Sequence, residues 1–427
     1  MKDYPSAELL LENACIVLLN LSWHVDEENL KETEERRALI GQAGGVEAVT
    51  HSMQRHPTML VLLKNCCWAL KNLCVDNDDN RRRVVELGGV EAVVKAMNDH
   101  PSAELLLEHS CMMLTHLCTT HVDDKNRKES EERRLVIERA GGVEAITNTM
   151  ARHPTVLVLL KCACLALQTL CVGNEGNKKR VVESGGVEAV VKAMNEHPSD
   201  KLFLDDVCIV LSHLATHVDE KNSKECEERR ELIGKARGVE AVIKVMQQHP
   251  SALGVVKHSC IVLSHLCVGN DDNRRRVAQA GGVEAVVKVM NEHPFDELLL
   301  GHACHVLLNL SAWHDKKYSK MRTERVKLIG QAGGVEAIIY SMQRHPTVTT
   351  HLKYACWVFR NLCVDNDDNR RRFAQAGGVK AVVKAMNEHP FDNHLLEQAC
   401  HVLLNLSGHD QNEADERTAL IAQAGGV

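Results

Sequence analysis

Apolar residues recur at helical spacing through PTMLVLLKNCCWALKNLC, residues 57–74, where Leu62, Ala69, Leu70 and Leu73 join Cys66 and Cys67 on one broad face. The polar stretch Val75–Asp79 follows, and its Asp and Asn residues suit the N-cap of a short helix predicted over Asn80–Leu87. Gly88-Gly89 predicts a left-handed stop to that helix. A medium helix is then predicted over Val90–His100, with Val90, Val93 and Met97 on one face. Glu91 at its start and His100 at its end match the helix dipole. The unit is therefore short helix, Gly-Gly, medium helix, His-Pro, long helix.

That unit repeats along the whole chain. The glycine pairs begin at 44, 88, 141, 185, 281, 333, 377 and 425, with Arg237-Gly238 as the one variant. Such self-similarity marks one supersecondary unit stacked many times, each copy too small to bury its apolar face alone. Nine prolines, from Pro5 to Pro390, all fall at the His-Pro junction and count nine long helices, each expected to hold its proline in the first turn. Intervals between glycine pairs alternate, mostly 44 and 52 or 53, so the deeper duplication is a pair of repeats. The additional residues form five charged linkers, 23–34, 119–131, 216–227, 312–323 and 408–415, expected as loops along one edge. The fold expected is all-α, one α-solenoid spanning 1–427 with partial repeats at 1–22 and 408–427. Both ends fall inside a repeat, so part of a longer array or a head-to-tail assembly is expected.

Composition narrows the function. Aromatics make up 3% of the chain against 44% hydrophobic residues, which suits closely packed aliphatic helices, and a net charge of −7 gives no nucleic-acid footprint. No uninterrupted apolar run is long enough to cross a membrane, and the first residues carry no signal-peptide pattern, so a cytoplasmic or nuclear location is expected. Of the 17 cysteines, nine form one column, once per repeat, from Cys15 to Cys400. Five more share a second column with Ser22, Ala215, Ser311 and Ser407, as small buried residues would.

A three-helix repeat with a short first helix, a Gly-Gly turn and a long third helix ending ALKNLC resembles the armadillo family. The resemblance implies a right-handed superhelix of about nine repeats, whose third helices line a groove for extended partner segments. It also implies that one Asn per third helix holds the partner's backbone. That column reads Asn20, Asn72, His116, Thr169, His213, His265, Asn309, Asn361 and Asn405. In the importin-alpha branch a Trp one turn before and an Asp one turn after complete the subsite, the Asp receiving a lysine. Trp68, Asn72 and Asp76 match all three positions, as do Trp357, Asn361 and Asp365. The two matches lie six repeats apart, and nuclear import is not expected.

The residue chemistry agrees with a binding role. An amide offers donor and acceptor together to an extended chain, and an indole offers its face to Lys or Arg. A protein or peptide partner, with basic side chains accepted, is expected. An assembly subunit using outer helices and linkers is the alternative. Two turns before the Asn column, Glu12, Lys64, Glu108, Lys161, Asp205, Lys257, Gly301, Lys353 and Glu397 alternate in charge and read as an inter-repeat salt-bridge ladder. The triplets Arg81–Arg83, Lys178–Arg180, Arg274–Arg276 and Arg370–Arg372 read as a solvated outer face. Each long linker carries a His and an Asp, such as His121 and Asp123, but two ligands per loop do not close a zinc site. No metal, no cofactor and no catalytic constellation is expected.

Overall fold

The computed structural model describes residues 8–23, 30–119, 124–216, 222–312, 319–407 and 411–425. Among them every regular element is an α-helix. In chain order these are α1 (Glu8–Ser22), α2 (Leu30–Gln42), α3 (Gly45–Arg55), α4 (Leu60–Cys74), α5 (Asp78–Glu86), α6 (Gly89–Asp99), α7 (Glu104–Cys118), α8 (Asp124–Arg139) and α9 (Gly142–Arg152). There follow α10 (Leu157–Cys171), α11 (Glu175–Glu183), α12 (Gly186–Glu196), α13 (Lys201–Leu214), α14 (Ser223–Lys235), α15 (Gly238–Gln248), α16 (Leu253–Leu266), α17 (Asp271–Gln279) and α18 (Gly282–Glu292). The last are α19 (Glu297–Ser311), α20 (Ser319–Gln331), α21 (Gly334–Arg344), α22 (Thr349–Cys363), α23 (Asp367–Gln375), α24 (Gly378–Glu388), α25 (Asn393–Leu406) and α26 (Gln411–Gln423).

The chain divides into two compact units, 1–197 with 217–225, and 198–216 with 226–427. In the first, the long helices α1, α4, α7 and α10 pack side by side in that order, and the medium helices α3, α6, α9 and α12 form a second row. In the second, α13, α16, α19, α22 and α25 make the long-helix row and α15, α18, α21 and α24 the medium row. Between the rows lies the core. Leu62, Cys67, Leu70 and Leu73 of α4 are fully buried, as are Val90 and Val93 of α6. Each such aliphatic side chain contributes ~1.5–3 kcal/mol.

The glycine pair has two separate jobs. Its first member adopts a left-handed backbone, with φ between +71° and +84° from Gly44 to Gly425, and Arg237 takes the same conformation at +64°. The second member needs room: a Cβ on Gly89 would lie 2.8 Å from the Val84 carbonyl oxygen, and one on Gly238 would lie 2.7 Å from Ile233. Backbone strain of order 1 kcal/mol is tolerable for a long polar residue, whereas a collision with backbone is not. Only the first glycine is therefore replaceable, as Arg237-Gly238 demonstrates.

The junction differs from the sequence expectation. Proline lies before the long helix, not in its first turn: Pro57 precedes Leu60, and the Met59 amide donates to the His56 carbonyl at 3.3 Å. This is a β-turn with proline at its second position, where a fixed φ is favourable. The histidine ahead of it reaches back one repeat. His100 Nε2 lies 3.2 Å from the Pro57 carbonyl oxygen, and His153, His197, His249, His293, His345 and His389 make the equivalent contact at 2.6–3.1 Å. The histidine thus staples each junction to the one before.

The linkers differ as well. Helices begin at Leu30, Asp124, Ser223, Ser319 and Gln411, so the later part of each charged linker lengthens the next first helix rather than looping out. First helices consequently alternate between 9 residues, as in α5, and 13 to 16 residues, as in α2 and α8. The linker His-Asp pairs lie outside the described residues.

All cysteines are unpaired; Cys400 is exposed and Cys162 half-buried, while the other fifteen are buried. Burial pushes the thiols of Cys67, Cys74, Cys260 and Cys356 up to about 12, far from the reactive thiolate. Labelling the native protein with a thiol reagent should therefore modify Cys400 fast and Cys162 slowly. The other fifteen should react only after denaturation, which mass spectrometry of the labelled protein reads directly.

Candidate functional site

The basic triplets are not a solvated face. Their first members are buried: Arg81 is 1% exposed, Lys178 2%, Arg274 0% and Arg370 3%. Arg274 Nε donates to the Cys267 carbonyl at 2.9 Å and Arg370 Nε to the Cys363 carbonyl at 2.8 Å, at the ends of α16 and α22. The longer first helices do the same, through Arg37 to Ser22, Arg133 to Leu117, Arg229 to Leu214, Arg325 to Leu310 and Arg417 to Leu406. A guanidinium at a helix carboxyl end satisfies orphan carbonyls and meets the negative pole of the dipole. Only the second residue of each triplet is exposed, as at Arg82 and Arg275, while the third pairs with the preceding medium helix, as in Arg180–Glu144 at 2.7 Å and Arg276–Glu240 at 2.9 Å.

These caps fix the carboxyl halves of the long helices, where the Asn column lies. Asn309 is 8% exposed; its Nδ2 donates to the Ser264 carbonyl at 3.1 Å and to the His305 carbonyl at 3.0 Å. Asn405 donates to the Arg360 carbonyl at 3.0 Å, and Asn361 to Ser311 Oγ at 3.3 Å. Each of these amides ties its long helix to the previous one, Asn309 spending both of its N–H groups within the stack and Asn361 and Asn405 one each. Asn72 differs: it is 3% exposed and its Nδ2 is buried without a partner. Asn20 is exposed on α1.

The two Trp-bearing helices, alike in sequence, have unlike surroundings. On α4, Trp68 is half-buried, stacks on His109 of α7 at 4.6 Å and meets Trp23 edge-on at 6.0 Å. Lys71 Nζ lies 5.6 Å from the centre of the Trp23 ring and 5.9 Å from that of Trp68, so this indole pair already holds a cation. On α22, Trp357 is 44% exposed. Arg360, at the position of Lys71, is drawn away to Gln398 Oε1 at 2.9 Å. Among the described residues no cation lies over Trp357.

Asp76 and Asp365 both adopt φ +52°, in a turn where the intervening short repeats place Gly173 and Gly269 at +64° and +65°. Asp76 lies 4.0 Å from Arg81, and Asp365 is exposed. The charge ladder forms differently from its sequence reading. Glu12, Lys64 and Glu108 make no ion pair among the described residues, while Asp205 bonds His258 at 2.6 Å and Lys353 bonds Asp392 at 2.8 Å. Side chains at the start of neighbouring long helices reach past their column partners to turn residues and histidines. Neither the arginine caps nor the histidine staples were read from the sequence, although their strict recurrence once per repeat was a usable signal.

The split in the Asn column has a measurable consequence. Asn309→Ala should lower stability by ~1–2 kcal/mol, because two carbonyls lose a buried donor. Asn72→Ala should cost clearly less, since its amide nitrogen bonds nothing; urea denaturation of the two variants compares them.

The family model described as protein zer-1 homolog-like, C-terminal domain, matches residues 227–409. Similar solved structures include a designed armadillo repeat protein in complex with the peptide (KR)4, 14% identical over 62% of this chain and 98% of that chain, with a TM-score of 0.49. An engineered protein is 17% identical over 62% of this chain and 97% of its own, also with a TM-score of 0.49. No curated protein matches the sequence. The chain's own repeat of short, medium and long helix has the armadillo-type α-solenoid fold, and its later part is similar to the zer-1 homolog-like C-terminal domain.

Proposed function

We propose that the chain is a protein-interaction scaffold, a binding protein and not an enzyme, acting in the cytoplasm or nucleus. Its long helices hold an extended segment of a partner. The observation that carries this reading is Trp357: a large indole 44% exposed on a long helix, with the neighbouring guanidinium of Arg360 tied off to Gln398. Exposing an indole forgoes burial that a partner can restore, and such residues anchor interfaces. Long helices ~8–10 Å apart match about three residues of extended chain at ~3.3 Å each. A basic side chain of the partner lies on Trp357 and reaches toward exposed Asp365, a non-glycine residue kept in a left-handed turn. Asn309, Asn361 and Asn405 contribute carbonyl oxygens to the partner's main-chain N–H groups, since each amide nitrogen is already tied to the preceding long helix.

Photo-crosslinking residues placed at Trp357 and at Arg371, which is exposed on the first helix α23, test this reading. Partner crosslinks at 357 and none at 371 are expected. Crosslinks confined to 371 would instead favour an assembly role for the outer helices.

A further inference from the structure

The face of the first unit built on α4 and α7 differs from the Trp357 surface in every feature that selects a guest. Its aromatic floor is Trp68 stacked on His109 with Trp23 at its edge. Three polar atoms of these two helices are buried without partners: Trp68 Nε1, Asn72 Nδ2 and His109 Nδ1. Indole and amide nitrogens are donors only, so two of the three call for an acceptor. Leaving each unanswered costs ~1–3 kcal/mol. Lys71 holds its ammonium over both indoles, without an ion pair or hydrogen bond among the described residues.

The charge around this face is positive. His109 is held down to about 4 by burial and then by Lys71 and Lys64. His116 of α7, the next member of the column after Asn72, is held at about 4 by burial, Lys71, Arg81 and Arg37, with Asp76 opposing. Burial likewise lowers Lys71, with Arg37 adding to the effect and Glu108 of α7 opposing it. Asp76 is shared with Arg81, and Arg37 is itself 2% exposed. Among the described residues named here the cations outnumber the carboxylates, and Lys71 occupies the aromatic surface that a guest lysine would need.

We propose that the Trp23–Trp68–Lys71–Asn72 face binds an acidic segment of a partner protein, a Glu or Asp carboxylate pairing with Lys71 and taking up the unanswered donors. This rests on the scaffold reading above and assigns opposite charge preferences to the two Trp-bearing helices. Side-chain adjustment of the kind common at interfaces is enough to admit the carboxylate. Its negative charge is stabilised by Lys71, and its oxygens accept from Trp68 Nε1 and Asn72 Nδ2 as charge-assisted bonds. Lys71 leaves its cation–π position for a stronger, partly desolvated ion pair.

Fluorescein-labelled (Glu-Ala)4, (Gln-Ala)4 and (Lys-Ala)4 peptides, titrated into the full chain at low salt by fluorescence anisotropy, test the inference. The acidic peptide should bind at least about tenfold more tightly than the Gln peptide, and Lys71→Met should erase that preference. Trp357→Ala should leave it intact. Lys71→Gln, checked for unchanged helicity, guards against a folding defect in the first variant. An acidic preference that survives both Lys71 variants, or no preference at all, overturns the inference. If hydrogen exchange still shows (Gln-Ala)4 or (Lys-Ala)4 protecting the long helices, only this charge assignment falls. If no peptide protects them, the scaffold reading falls with it.

Discussion

A guanidinium buried at the carbonyl end of a long helix, bonded to its last carbonyls in seven of the nine described long helices, is the constraint on which the rest depends. Removing arginine from water is costly, and burial lowers Arg37, Arg230 and Arg325 below their ordinary value and Arg322 to about 10. The cost is offset only because the charge sits where several helix-end carbonyls converge and the helix dipole is negative. Arg322 shows the arrangement most fully, donating to the Ser311 carbonyl at 2.8 Å and to the Asn361 carbonyl of the next long helix at 2.8 Å. One cation thereby fixes the ends of two neighbouring long helices. The histidine staple fixes the opposite ends, through His345 to Pro294 and His389 to Pro346. With both ends held, the central turns keep their register and their surface side chains keep their spacing.

Fixed spacing is what turns small sequence changes into different surfaces. Trp68 and Trp357 occupy the same column, followed at the same interval by Asn72 and Asn361. A lysine in place of an arginine three residues on, and a glutamine at position 398 to receive the arginine, separate them. Lys71 is long, flexible and without an acceptor, so it settles on the indoles. Arg360 finds a planar partner and leaves Trp357 uncovered.

The repeat, its three helices and the left-handed stop at the glycine pair were legible because they depend on local geometry. Left-handed backbone and apolar periodicity leave marks on consecutive residues. What escaped the sequence depends on which repeat a side chain reaches into. Arg274 between Asn273 and Arg275 looks like any solvated basic run, yet helical rotation turns the first inward to α16 and the second out to water. The same holds for Gly41, Gly234 and Gly330, which make room for Asn80, Asn273 and Asn369 of the following first helix. Where Glu138 stands in that place, Gly176 supplies the space from the other side. Among the site residues, the positions of Asn309, Asn361 and Asn405 on the long helices were legible. The use of their donors within the stack was not, because it depends on an acceptor forty-five to fifty residues earlier.

Native-state hydrogen exchange on Arg274→Gln beside Arg275→Gln examines the arginine cap most directly. Loss of the buried guanidinium should speed exchange at the carboxyl end of α16 and through α17 by about tenfold or more, while the exposed neighbour's loss changes neither. Equal protection in both variants and the parent would contradict the account, since it would mean that the long helices hold their ends without the arginine.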